Sequence, residues 1–272
     1  MRKGSSPITG RLGAVARRDL IVTWSYPILL LTRYGQIAVT TVLLSFMARL
    51  VNAPPALARY GGRYFEFALS GLIVLSFVTL GLGVLTTAVT AEQNAGSFEV
   101  LLISPTPLPV LLAGIYLVPT ALTMVDVLAY IAIGWLLGAH ISLLGLAACL
   151  PVLLLTAAAF SAAGLASAGF VVLTKRGDPI TLVVTQVTTL LAGALFPIHL
   201  LPGPLQAAVR IVPAYWGLEA VRAMLLQHRS LWSQGRSLLV LAAFTVALFP
   251  LALAVFRRAL RVARVTGTLG NA

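Results

Sequence analysis

The sequence predicts an all-α membrane protein with six transmembrane helices. Of its 272 residues, 59% are hydrophobic and only 10% are charged, and the mean hydropathy is +0.99, well above what a soluble domain needs. Several apolar runs can each cross ~30 Å of hydrocarbon, which takes about 20 helical residues. The net charge of +12 comes from bases scattered between these runs, as flanking bases of membrane spans are. These bases form no continuous basic face of the kind that nucleic-acid-binding proteins use.

Polar breaks define the six spans. Arg49 and the pairs Pro54-Pro55 and Gly61-Gly62 follow the first span, and a turn at 138–142 divides a stretch too long for one crossing. The sequence KRGDP at 175–179 ends the fourth span, and a basic run follows the sixth. The predicted spans are residues 27–48, 67–91, 109–137, 143–173, 180–197 and 237–256.

The two chain ends are predicted to lie in the cytoplasm. Six crossings place both termini on one side, and eleven bases fall on that side against seven on the other. Residues 1–26 are predicted to form a moderately amphipathic helix in the interface, with Trp24 and Tyr26 at headgroup level. Residues 257–272 are predicted to form a cytoplasmic tail.

The segment 197–228 is too apolar for a solvated loop and too rich in proline to cross the membrane. Pro204 can start a short helix that Pro213 must end, and a second helix is predicted at about 214–227. Glu219 and Arg222, spaced i,i+3, are predicted to form a surface pair. Two short re-entrant helices, which dip in and return, would satisfy their own backbone groups.

The break at 91–107, AEQNAGSFEVLLISPTP, carries two carboxylates and no base. Charges inside hydrocarbon cost several kcal/mol, so this segment is predicted to lie outside the bilayer. Its pattern Glu-x-x-x-Gly-Ser-x-Glu-x-Leu-Leu-x-Ser-Pro resembles the loop between the second and third spans of ABC-2 type permeases, including the daunorubicin-resistance and nodulation-export groups. The segment 197–228 also resembles the re-entrant helices of that family, in its proline-rich entry and its Pro-aromatic step.

The resemblance implies that residues 91–107 form a cytoplasmic coupling helix that docks onto a separate ATPase. Gly96 permits a bend, Ser97 can cap the following helix, and Pro105 ends it. Many relatives carry a base beside the first glutamate, where this chain has Gln93 and Asn94, so the facing ATPase groove is expected to differ in charge. The implied coupling residues are Glu92, Gly96, Ser97, Glu99, Leu101, Leu102, Ser104 and Pro105.

The resemblance also implies partners and a location. Two ATPase subunits, which bind ATP and Mg²⁺, are expected to act with this chain and a second copy or a homologous permease, in the cytoplasmic (inner) membrane of a bacterium. The sequence contains no Gly-Lys dipeptide and hence no phosphate-binding P-loop, so no cofactor is expected in this chain. The family implies export of a drug, antibiotic or lipid, with polysaccharide or glycolipid export as the alternative.

Polar residues within the spans are the candidates for a translocation pathway. Asp126 falls inside the third span, where an ionisable group is by default a functional hypothesis. At 1.5 Å per residue, Arg33 lies roughly 9 Å and Asp126 roughly 25 Å above the start of its own span, which argues against an ion pair. Arg33 is therefore expected to snorkel to the headgroups. Thr185 and Gln186 lie on the polar side of the fifth span and, in the family interpretation, face the pathway.

No catalytic or metal-binding pattern is evident. His140, His199 and His228 show no ligand spacing and are expected to be surface or interfacial residues. Ala157, Ser161, Gly164 and Ala168 form a stripe of small residues suited to close helix packing. An ion-coupled carrier that uses Asp126 is the alternative outside the ABC class, although the inverted repeats typical of carriers are not evident.

Overall fold

The computed structural model describes residues 25–50, 57, 60, 62–94, 108–174 and 178–265. These residues form eight α-helices and short 3₁₀ turns, and no strand occurs among them. The helices are α1 (Pro27–Leu50), α2 (Tyr64–Asn94), α3 (Leu108–Leu136), α4 (Leu143–Thr174), α5 (Pro179–Leu191), α6 (Gly203–Val209), α7 (Pro213–Leu225) and α8 (Gly235–Val265). The predicted interfacial helix at 1–26 lies almost wholly outside the described residues.

Five of the described helices, α1, α2, α3, α4 and α8, are long and apolar enough to cross a membrane. The helices predicted for the first four spans, and the turn at 138–142, are confirmed to within a few residues. The last helix is longer than predicted, since α8 continues through the basic run to Val265.

The predicted fifth span is wrong in length. Helix α5 has 13 residues and ends at Leu191, which gives about 20 Å of helix against the ~30 Å of hydrocarbon. Gly193 ends it, because its φ of +72° is a left-handed conformation, and a Cβ there would lie 2.4 Å from the Ile198 side chain. A single sequence cannot show that this glycine adopts the left-handed conformation rather than a helical one.

The core of the bundle is the crossing of α2 and α4. A Cβ on Gly81 would lie 2.3 Å from the Ala157 carbonyl oxygen, and one on Gly164 would lie 2.6 Å from the Gly81 carbonyl oxygen. The two backbones therefore approach closely through glycine on both sides. Ala157, Ser161, Gly164 and Ala168 are buried, so the predicted small-residue stripe is confirmed.

We expect Gly81→Ala to destabilise the protein by about 1–3 kcal/mol, because the added methyl overpacks a backbone contact that no side-chain rotation relieves. Gly83→Ala, on the same helix, is the matched control, since nothing lies within 4 Å of its Cβ position. Thermal unfolding of the purified protein in detergent measures both variants. Equal unfolding temperatures for the two would contradict the close α2–α4 approach.

Helix α7 lies inside the bundle, packed against α2, α4 and α8. It begins at Pro213, and α6 begins beside Pro204, as predicted for the two short helices. Most of α7 is buried, including Leu218 and Val221. Helix α7 is therefore an integral part of the core.

Candidate functional site

A groove opens between α1, α2 and α3, which we call the α1–α3 groove. It encloses about 600 Å³. Its walls include Ile37, Leu75, Val84 and Leu122, and polar side chains from all three helices line it as well. These polar residues are Arg33, Gln36, Thr40, Ser76, Thr79, Thr87, Thr123, Asp126 and Tyr130.

An ion pair between Arg33 and Asp126 joins two walls of this groove. Nε of Arg33 donates to Oδ1 of Asp126 at 2.9 Å and to Oδ2 at 3.1 Å, and Nη2 also donates to Oδ2. The Asp126 side chain is 11% exposed and the Arg33 side chain is 39% exposed. The bidentate geometry fixes α1 against α3.

The expectation that Arg33 and Asp126 lie too far apart in depth is therefore wrong. It assumed that both spans begin at the same level. Because 18 residues of α3 precede Asp126 and only six residues of α1 precede Arg33, yet the two side chains are in contact, the two helices begin at different levels. Helix α3 is thus displaced along its axis relative to α1. The long arginine stem, which places the guanidinium away from its own backbone, closes the remaining distance.

Thr185 and Gln186 lie on α5, outside the α1–α3 groove. Helix α5 packs on α2 and α4. Gln186 is exposed and Thr185 is half-buried. The exposed apolar neighbours of Gln186 on α5 are Leu182, Val183, Val187 and Leu190. The structure therefore does not bring the three predicted pathway residues together.

The start of α5 is tied to the bundle by Asp178. Its carboxylate caps the helix by accepting the Thr181 N–H at 3.0 Å, and it also accepts the Ser167 hydroxyl from α4. Burial alone would raise the pKa of Asp178, but these hydrogen bonds outweigh it and hold the pKa below its usual value. The capping contribution is consequently present at neutral pH and is lost only as the pH falls through this lowered pKa.

Arg222 is the most buried charged side chain among the described residues, with 1% exposure. Its Nη2 donates to the Ala194 carbonyl at 2.7 Å and to the Phe67 carbonyl at 3.4 Å, and its Nε donates to Ser70 Oγ at 3.4 Å. The guanidinium carbon lies 3.6 Å from the Phe67 ring centroid. Arg222 thus joins α7 to α2 and to the chain that follows α5.

The predicted surface pair of Glu219 and Arg222 is wrong, because Arg222 points into the bundle while Glu219 accepts the Tyr60 hydroxyl at 2.6 Å. The sequence did carry a signal for this. Arg222 follows Leu218 by four residues and precedes Leu225 by three, so a helical wheel places it on the apolar face of α7.

A second polar cluster lies where α2 begins. Oε1 of Glu66 accepts Nη1 of Arg63 at 3.1 Å and the His140 backbone N–H at 2.9 Å. It ties the turn between α3 and α4 to the start of α2. His140, His199 and His228 are exposed, as expected. Within the described residues, no three or more His, Cys, Asp or Glu side chains form a metal-binding group.

Of the predicted coupling residues, only Glu92 is described. It lies partly exposed in the last turn of α2, which continues to Asn94. The other seven, Gly96, Ser97, Glu99, Leu101, Leu102, Ser104 and Pro105, lie outside the described residues. The functional roles of all eight stay predictions.

The long apolar helices define a multi-pass membrane protein. The sequence model of the ABC-2 type transporter family matches residues 11–226. The chain therefore belongs to this family, and the resemblance drawn from the 91–107 and 197–228 segments is confirmed. It is a membrane-spanning subunit of an ABC transporter, and permeases of this family pair in general with an ABC ATPase. A search of curated proteins gives no match.

Proposed function

We propose that this chain is the permease subunit of an ATP-driven exporter that moves an amphipathic drug, antibiotic or lipid out of the cytoplasm or inner leaflet. The observation that carries the proposal is the acidic segment 91–107, which begins in the last turn of the central helix α2 in a chain of the ABC-2 family. The sequence contains no Gly-Lys dipeptide, so a separate subunit is proposed to bind ATP and Mg²⁺ and to hydrolyse the nucleotide.

Helix α2 is suited to transmit movement from that segment. It packs against α1, α3, α4, α5 and α7, and its 31 residues span about 46 Å. A displacement at Glu92 therefore reaches every one of those helices. Two permeases and two ATPases are proposed to assemble, with closure of the ATPases on ATP moving the coupling helices.

The six-crossing arrangement with cytoplasmic termini in a bacterial inner membrane is part of this proposal. Helix α5 is too short to cross alone, and we propose that the chain at 192–197 completes the crossing. Non-helical backbone is tolerated at membrane depth only where protein covers it. Ala192, Gly193 and Ala194 are all buried, and Arg222 satisfies the Ala194 carbonyl. Helices α6 and α7 then form the re-entrant pair.

The substrate is proposed to be amphipathic because the described helices present apolar faces with few charges. The ion-coupled alternative is less well supported, since both oxygens of Asp126 accept hydrogen bonds from Arg33. Asp126 is proposed to act through this ion pair rather than as a free proton site. Thr185 and Gln186 are proposed to line the pathway between two permease copies.

We expect Glu92→Arg or Glu99→Arg to uncouple transport while leaving the permease folded. Glu92 is partly exposed at the end of α2, and charge reversal at a docking surface opposes the partner while costing the permease little. ATPase stimulation and recovery of the complex after detergent extraction measure the effect. Glu92→Gln and Glu99→Gln, which remove the charge without reversing it, are the controls. Unchanged stimulation and recovery in both arginine variants would remove the coupling assignment.

We expect Gln186→Trp to abolish export without releasing the ATPase. The Gln186 side chain is exposed, so a larger residue overfills nothing within this subunit and acts only on what faces α5. Export of the substrate, recovery of the complex and substrate-stimulated ATPase activity are measured on the same preparation. Leu251→Trp, at a 64% exposed position on α8, is the control and should leave both unchanged. A well-assembled Gln186→Trp complex with normal transport would disprove the pathway role.

A further inference from the structure

The α1–α3 groove contains unused hydrogen-bond donors. Arg33 binds Asp126 through Nε and Nη2, which leaves its Nη1 group without a hydrogen bond to any residue that the structure describes. The Gln36 amide and the Tyr130 hydroxyl also line the groove and make no hydrogen bond within the described part of the chain. These groups can all donate to a ligand rich in acceptor oxygens, such as a phosphate.

The same groove contains unused acceptors. The hydroxyls of Ser76, Thr79 and Thr123 donate to the carbonyls of Leu72, Leu75 and Pro119, at 3.0, 2.9 and 2.9 Å. Each hydroxyl therefore donates its only hydrogen to a carbonyl of its own helix, and it can only accept hydrogen bonds from a ligand in the groove. Such oxygens suit a ligand group that carries N–H donors, such as a primary ammonium.

Charge balance restricts the ligand further. Arg33 and Asp126 together are neutral, so a purely anionic headgroup would leave an uncompensated charge in a low-dielectric groove, which is costly. A headgroup that carries both a phosphate and an ammonium adds no net charge. The apolar walls at Ile37, Leu75, Val84 and Leu122 suit an acyl chain beside it.

We propose that the α1–α3 groove is a binding site for a zwitterionic phospholipid whose head joins a phosphate to a primary ammonium, as in phosphatidylethanolamine. The phosphate binds the free edge of Arg33 with Gln36 and Tyr130, and the ammonium donates to the hydroxyl oxygens of α2 and α3. The lipid thereby occupies the space between α1 and its neighbours beside the Arg33–Asp126 ion pair. The site holds a resident bilayer lipid and does not depend on the direction or cargo of transport.

Native mass spectrometry of the purified full-length protein tests the proposal. The protein is delipidated in detergent and titrated separately with phosphatidylethanolamine, phosphatidylcholine and phosphatidylglycerol of matched chains. We expect the ethanolamine lipid to be retained most strongly, because choline has no N–H donor and glycerol has no cation. Thr79→Val and Tyr130→Phe, which remove one polar group each with little change of shape, should each weaken its retention about tenfold.

Thr245→Val is the matched control, since its half-buried hydroxyl makes the same kind of intrahelical bond, to Leu241 at 2.9 Å, on α8. It should retain the lipid as the unchanged protein does. Equal retention of the three lipids, a preference for phosphatidylglycerol, or full retention by both groove variants would each overturn the proposal. So would a tightly bound amphiphile other than a phospholipid that blocks the lipids from the groove. Unfolding temperatures confirm that the variants remain folded.

Discussion

Arg222→Ala should destabilise the protein by about 3–5 kcal/mol, the largest effect that we expect of any single substitution. It removes a long, fully buried side chain, leaves a cavity, and strips the Ala194 and Phe67 carbonyls of a donor. Because Arg222 links α7 to α2 and to the chain after α5, the loss should also loosen the packing of these three segments. Unfolding in detergent and hydrogen exchange over 192–200 measure the two effects.

Arg229→Ala is the control for this prediction. Arg229 lies a few residues beyond α7 and is exposed, so its removal should change the stability by no more than about 0.5 kcal/mol. Arg222→Lys keeps the positive charge but loses the planar guanidinium group. Its loss of stability should lie between those of Arg229→Ala and Arg222→Ala. A loss below about 1 kcal/mol for Arg222→Ala would show that the buried contacts do not hold the segment.

Asp126→Ala should destabilise the protein by about 2 kcal/mol, because it leaves the Arg33 guanidinium without its counter-charge among apolar helices. Fully buried pairs cost about 3–5 kcal/mol when one partner is removed, and the cost is lower here because the Arg33 side chain is 39% exposed. Arg33→Leu should cost a similar amount, since it leaves the largely buried Asp126 carboxylate unpaired.

The double variant Arg33→Leu/Asp126→Ala, which combines the two single substitutions, measures the interaction energy between the two side chains. It removes both charges, so it should recover most of the stability lost by either single substitution. The exchange Arg33→Asp/Asp126→Arg should recover less, because the helices are not symmetric about the contact. Strictly additive losses in the double variant would contradict a direct Arg33–Asp126 interaction. Unfolding temperatures of the four variants in one detergent supply the comparison.

The helices could be predicted from the sequence because hydrophobicity and helix-breaking residues determine them. Pro213 begins α7, and the turn at 138–142 separates α3 from α4, as their residue types indicate. The end of α5 could not be predicted, since Gly193 acts through a left-handed φ of +72°. Glycine in an apolar run is equally compatible with a continuing helix.

The candidate site was only partly predictable. Asp126 was recognisable as a buried acid. Its partner depends on how far α3 is displaced along α1, and the residue pattern within either helix cannot predict that displacement. Arg222 was recognisable in principle from its place on the apolar face of α7. The carbonyl groups that accept its hydrogen bonds could not be predicted, because Ala194 and Phe67 come from other segments of the chain.

Co-expression of the full chain with its flanking genes, followed by native mass spectrometry and ATPase assays of the purified complex, tests the central claim most directly. We expect a complex of two permease chains with two P-loop ATPase chains, whose ATP hydrolysis responds to Glu92→Arg and Glu99→Arg. A permease that purifies alone and moves its substrate without ATP would contradict the assignment as an ABC exporter subunit.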